Sequence, residues 1–146
     1  MKKLLTVFAV LMISSALAFA GPLLGVSFVP DKDSHGELTV GFNVGSINIE
    51  VQKEYLEDMA GEWAFGLLWV PQQGNFGYRA GLRLVLDYED PGFKYGGFEF
   101  VVGVSNTWGP IQLYFDANVN SAQALGIVPV VGINILFSEL IPDAAI

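Results

Sequence analysis

Six charged residues sit at spacings that bring them to one face of an extended chain. They are Glu50, Arg79, Arg83, Asp87, Glu99 and Asp116. Each lies in a run where every second residue is large and apolar. Ile111, Leu113, Phe115, Ala117 and Val119 alternate with Gln112, Tyr114, Asp116, Asn118 and Asn120. Tyr78, Ala80, Leu82, Leu84 and Leu86 alternate with Arg79, Gly81, Arg83, Val85 and Asp87. A period of two is that of a β-strand, so the charges share a face with glycines and amides while the apolar side chains take the other. Carboxylates and guanidiniums brought together away from water must pair, because an unpaired buried charge is costly. The chemistry expected is a network around Arg79, Arg83 and Glu99 that also draws on Glu50, Asp87 or Asp116.

A second group of acids falls between the alternating runs or at their ends: Asp31, Asp33, Glu37, Glu54, Glu57 and Asp58, with Glu62, Glu89 and Asp90 in similar positions. Oxygen-rich clusters of this kind suit weak binding of divalent cations, although no spacing of a tight calcium loop is present. Solvation of loops is the plainer reading of the same charges. Catalytic chemistry has little to draw on. His35 is the single histidine, and neighbouring Asp33 and Ser34 are too close in sequence to form a nucleophile–base–orienter set with it. No phosphate loop, metal motif or nucleotide fingerprint occurs, so no enzyme activity and no cofactor are expected.

The elements that must position these residues are strands. Turn residues divide the chain into eight: about 23–30, 37–45, 46–55, 63–71, 77–88, 96–108, 111–120 and 124–137. The breaks fall at 31–36, Gly45-Ser46, 57–61, 71–75, 89–92, Gly109-Pro110 and Asn120-Ser121. A two-residue turn at Gly45-Ser46 pairs Val44 with Ile47 and Asn43 with Asn48. One at Gly109-Pro110 pairs Trp108 with Ile111, Ser105 with Tyr114 and Gly103 with Asp116. Like meets like at both hairpins, as a shared face demands.

Residues 1–20 are expected to be a signal peptide. Lys2 and Lys3 precede the apolar run from Leu4 to Ile13, and Ala18-Phe19-Ala20 offers a cleavage site. Residues 21–146 then form one domain. They keep all 15 acids but only five bases (Lys32, Lys53, Arg79, Arg83, Lys94), a net charge of −10, which argues against nucleic acid as a partner. The chain has no cysteine, so neither disulfide nor thiolate metal site holds it. Residues 21–146 contain no apolar stretch of ~20 residues, as a membrane-spanning helix would need.

Which face is inside decides the function class. A lipocalin-like soluble barrel, secreted or periplasmic and binding a small hydrophobic ligand, would bury the apolar face. That face is bulky almost throughout, and an eight-stranded barrel has room for little of it. The opposite face carries Gly25, Gly41, Gly66, Gly81, Gly97, Gly103 and Gly132, which make space in a narrow lumen and would only weaken strands on an open surface. Aromatic residues are expected at two rims: Trp69, Tyr78, Trp108 and Phe137 at one, Tyr55, Trp63, Tyr88 and Phe98 at the other. The apolar face is therefore expected to point outward.

On this pattern the chain resembles the small eight-stranded outer-membrane β-barrels of Gram-negative-type bacteria (the OmpA/OmpX type). The run Gly132-Ile133-Asn134-Ile135-Leu136-Phe137 is similar to the C-terminal signal such barrels present to their assembly machinery. It departs in having Val130 at a usually polar position and in continuing to Ile146. The resemblance implies an all-β, antiparallel up-and-down transmembrane barrel following a cleaved signal peptide, placed in the cell outer membrane. Its partners would be outer-membrane lipids and the assembly machinery, with divalent cations at the acidic rim. The role expected is structural, or minor transport or adhesion, without catalysis.

Overall fold

The computed structural model describes residues 21–30, 34–54, 61–121 and 126–137. Residues 1–20, Asp31, Asp33, Glu57 and Asp58 lie outside the described residues, as does Tyr55. Among the described residues nine strands follow one another: β1 (Gly21–Val29), β2 (His35–Val44), β3 (Ile47–Glu54), β4 (Gly61–Trp69), β5 (Gln72–Gln73), β6 (Phe76–Glu89), β7 (Gly92–Trp108), β8 (Ile111–Asn120) and β9 (Ile127–Leu136). Eight of them form a closed antiparallel barrel. Each pairs with its sequence neighbour, β4 pairs with β6, and β1 closes the ring against β9. Strand β5 is a two-residue spur that pairs with the start of β6 around Gly74-Asn75. No described helix is long and apolar enough to cross a membrane.

The two tight hairpins carry the expected registers, with Val44 opposite Ile47 and Trp108 opposite Ile111. Gly45 and Gly109 both have positive φ, +60° and +55°, where a side chain would be strained. Most strand bounds shift by a residue or more from the sequence expectation, and three of the differences bear on the fold. The region expected as an open turn after Val70 contains the β5 spur. Strand β9 starts at Ile127 rather than at 124. Strand β7 starts at Gly92 rather than 96, because a β-bulge between Val85 and Leu86 absorbs Gly96: Val85 faces Gly97, and Leu86 faces Tyr95. Gly97 sits there at φ +121°, and a bulge of this kind re-aims the strand beyond it.

The barrel is polar at its centre. Arg79, Arg83, Glu50, Asn48, Gln112 and Asn134 are at most 1% exposed, whereas Phe100, Phe115, Trp69 and Tyr78 are each at least half exposed. Apolar side chains thus point away from the barrel axis around the ring, as their alternation requires. The apolar residues that break the alternation fill the lumen. Leu68, Val70 and Val101 pack together, and Val29, Val130 and Val128 pack with Tyr114.

Glycines provide the space for large polar groups directly across from them. Gly66 faces Arg83, Gly103 faces Asp116, Gly132 faces Tyr114, and Gly25 faces Asn134. A Cβ at Gly132 would lie 2.2 Å from Cζ of the Tyr114 ring, and one at Gly103 2.1 Å from Asp116 Oδ1. Gly132→Ala should therefore destabilise the barrel by about 1–3 kcal/mol through overpacking. In a Tyr114→Ala background the penalty should largely vanish. A double-mutant cycle from urea unfolding checks this: equal penalties in both backgrounds would show that Gly132 does not serve Tyr114.

Candidate functional site: the lumen charge belt and the acidic mouth

The charge belt forms where the ladders of β3, β4, β6, β7 and β8 bring acids and arginines to one level. Arg79 Nε donates a bifurcated hydrogen bond to both Asp116 oxygens, at 2.9 and 3.1 Å. Its Nη2 reaches Glu50 Oε1 at 3.5 Å, and Asn48 donates to that same oxygen at 3.1 Å. Arg83 Nη1 donates to Glu99 Oε1 at 2.8 Å, while its Nη2 lies 3.5 Å from Glu50 Oε2 and 3.8 Å from Asp116 Oδ2. The Arg79 guanidinium also lies over the Tyr114 ring, 4.1 Å from its centre. Two guanidiniums thus hold three carboxylates, and both arginine side chains are fully buried.

Glu50, Arg79, Arg83, Glu99 and Asp116 therefore meet in one network. Arg83 and Glu99 are direct cross-strand partners. Asp87 has no ion pair among the described residues; it lies opposite Lys94, whose ammonium is bonded to Glu89 instead. The belt divides the lumen. At the hairpin end a cavity of about 390 Å³ is lined by uncharged residues such as Asn43, Ser46, Gln72 and Asn75. At the other end a cavity of about 140 Å³ is lined by Glu37, Glu54, Glu62, Glu99 and Asn118. Arg79, Arg83, Glu50 and Asp116 line neither.

Of the expected cation rim, the described residues Glu37 and Glu54 stand directly opposite one another on β2 and β3. Glu37 accepts from Ser27 Oγ at 2.9 Å, and His35 Nε2 lies 3.7 Å from it, so the lone histidine is a neighbour of a carboxylate on a strand. Glu62, expected in a loop, is the second residue of β4 and faces Asp87 across the ladder. The residues that sequence reasoning left out of this mouth are Glu99 and Asn118. Their alternation in β7 and β8 places them inside, but only the registers set them level with the mouth. Among the described residues, no group of three acid or histidine side chains is arranged to hold one metal ion.

On the outer surface, aromatic side chains occupy both ends, Trp63 and Tyr88 among them half-buried. Trp69, Tyr78 and Trp108 lie toward the hairpin end, with Phe76 and Tyr78 edge-to-face at 5.4 Å. Trp63, Tyr88 and Phe93 cluster toward the acidic end, with Trp63–Phe93 and Tyr88–Phe93 contacts at 6.4 and 5.0 Å. Lys53 lies over the Trp63 ring at 5.5 Å, with its Nζ 3.4 Å from the Glu54 carbonyl. No protein-family model matches the chain, and no curated protein is significantly similar to it.

Proposed function

We propose that this protein is a bacterial outer-membrane β-barrel whose role is structural, with a lumen closed to free passage and no catalytic activity. The observation that carries the reading is the polarity of the barrel wall. Phe28, Val40, Ile49, Leu67, Phe100, Val102, Phe115 and Val131 point outward and are each about half exposed or more. Soluble monomers rarely expose contiguous apolar patches above a few hundred Å², and a band of this kind around the whole ring needs an apolar solvent. A closed barrel is the form of sheet that leaves no edge unpaired in lipid. Aromatic side chains at both ends suit the two interfaces. The lipocalin-like alternative is disfavoured by the same wall, since its ligand site would have to lie where Arg79 and Arg83 are packed.

The lumen argues for a structural role over transport. Ion pairs and the packed Leu68 and Val101 occupy the space between the end cavities, and eight strands leave little more. The short connections at Gly45-Ser46 and Gly109-Pro110 give adhesion no platform on the hairpin side. The full chain expressed in a Gram-negative host should enter the membrane fraction, need detergent for extraction, and migrate differently on gels before and after boiling. In planar bilayers it should show no stepwise conductance. Recovery as a detergent-free periplasmic monomer would overturn the membrane assignment, and large unit conductance would overturn the closed lumen.

A further inference from the structure

The cavity of about 390 Å³ at the hairpin end has the size of a small-molecule pocket, about 300–1,000 Å³. Asn43, Ser46, Gln72, Asn75 and Thr107 bring amides and hydroxyls to its lining, and Val70 and Leu136 add apolar patches. No acid, base or histidine lines it. Each turn at this end is bonded to a neighbouring strand. Val70 N–H donates to Ser46 O at 2.6 Å, Thr107 N–H to Asn75 O at 2.7 Å, and Leu136 N–H to Pro110 O at 2.8 Å. The lining is thereby held in place before any guest arrives, which lowers the cost of binding.

Two hydrogen-bond chains end at this cavity with opposite polarity. In the first, Asn134 Nδ2 donates to Gln112 Oε1 at 3.0 Å, and Gln112 Nε2 donates to Thr107 Oγ1 at 3.5 Å. Gln72 Nε2 donates to the same oxygen at 3.0 Å. Both acceptor sites of the Thr107 hydroxyl are then taken, and its own proton has no acceptor among the described residues. In the second chain, Asn43 Nδ2 donates to Asn48 Oδ1 at 2.6 Å, and Asn48 Nδ2 donates to Glu50 Oε1 at 3.1 Å. Its donors run toward the charge belt, which leaves Asn43 Oδ1 at the cavity end with no donor among the described residues. Asn134, Gln112 and Asn48 are at most 1% exposed, so water does not turn either chain around. Bonds aligned in one sense also polarise one another. The cavity thus presents one fixed donor and one fixed acceptor.

An anion would find no cation in this lining, and a cation no carboxylate. A purely apolar guest would strip water from the donor and the acceptor and leave both unpaired, which is costly. Hydroxyl groups, which accept and donate alike, satisfy both ends. We infer that the cavity is a binding site for a neutral saccharide, with one sugar hydroxyl accepting from Thr107 Oγ1 and another donating to Asn43 Oδ1. Val70 and Leu136 suit the C–H face of a sugar ring. The site needs only barrel closure and register, so it does not rest on lipid surrounding the wall.

The test is an NMR titration of the isotope-labelled full chain, folded in dodecylphosphocholine micelles, which carry no sugar headgroup. Maltose is the probe, and glucuronate, a sugar ring bearing a carboxylate, is the comparator. Maltose should bind with a Kd of about 0.1–10 mM. The backbone amide signals of Ser46, Asn75 and Thr107 should shift, while those of Glu54, Glu62 and Glu99 at the other mouth stay in place. Glucuronate should bind at least about fivefold more weakly. Thr107→Val removes the donor and should weaken maltose binding about three- to tenfold, the worth of one hydrogen bond. Thr107→Ser, which keeps the hydroxyl, should recover most of that loss. Asn43→Leu should weaken binding by a similar factor, about three- to tenfold. Unchanged amide signals elsewhere in each variant show that the barrel is folded. No saturable shift below about 50 mM maltose, meaning a cavity that holds water only, would overturn the proposal. So would equal affinity for glucuronate, or undiminished binding by a folded Thr107→Val barrel.

Discussion

Replacing Arg83 by Met should cost about 3–5 kcal/mol of barrel stability, the usual penalty for breaking a buried ion pair from one side. The side chain is fully buried and touches three acids: Glu99 by a hydrogen bond of 2.8 Å, and Glu50 and Asp116 at 3.5 and 3.8 Å. Its loss leaves Arg79 alone to hold Glu50 and Asp116 in the centre of the lumen. The penalty is then mostly that of uncompensated buried charge and not of lost packing, since Met keeps much of the arginine stem. That distinction is measurable. In Arg83→Met/Glu50→Gln the Arg79–Asp116 grip survives intact, and Glu99 lies near the mouth with a side chain 15% exposed. The double variant should recover at least about 1 kcal/mol relative to Arg83→Met. Urea unfolding followed by tryptophan fluorescence, with an unchanged slope, reads both values. Equal stability of wild type and Arg83→Met would show that the belt is solvated and does not hold the lumen together.

The belt was largely legible in the chain because the two hairpins fix it. Once Gly45-Ser46 and Gly109-Pro110 are read as tight turns, Asn48 faces Asn43 and Asp116 faces Gly103 without further information. Alternation then puts Glu50, Arg79, Arg83 and Glu99 on the inner face. Asp87 is the exception, and its reason is local. Gly96 and Gly97 carry no side chains, so they hide the step at which β7 changes register. Beyond that step Lys94 faces Asp87, and Asp87 sits at the rim instead of the belt.

The acidic mouth was less legible for a related reason. Glu62 directly follows the glycine that opens β4, and a charge beside a loop reads as solvated surface. Its place beside Glu54 follows only when the register of the first hairpin is carried into the β3–β4 ladder, and its place opposite Asp87 only through the β4–β6 ladder. Each ladder is set by long-range pairing that no local signal in β4 records. Asn118 carries no signal of its own, since its unpartnered oxygen is a product of where Glu99 lies.

Phe115→Arg should decide what surrounds the barrel. Phe115 is midway along β8, half exposed, and flanked by the outward-facing Val104 and Val131. Nothing in the fold prevents an arginine there, because the side chain points away from the lumen. If the wall faces lipid, a guanidinium at this depth costs about 2–4 kcal/mol, falling toward zero near the interfaces. The depth dependence makes the test specific. Trp108→Arg, at the hairpin rim beside Gly109, should cost about 0–1 kcal/mol on the same scale. Folding of both variants into lipid vesicles, with urea unfolding as readout, gives the difference. In water the ordering has no basis: a charge on an exposed wall of a soluble barrel changes stability by less than about 0.5 kcal/mol wherever it stands. A penalty at Phe115 no larger than that at Trp108 would remove the bilayer from the account, and with it the reason for a barrel that is polar inside.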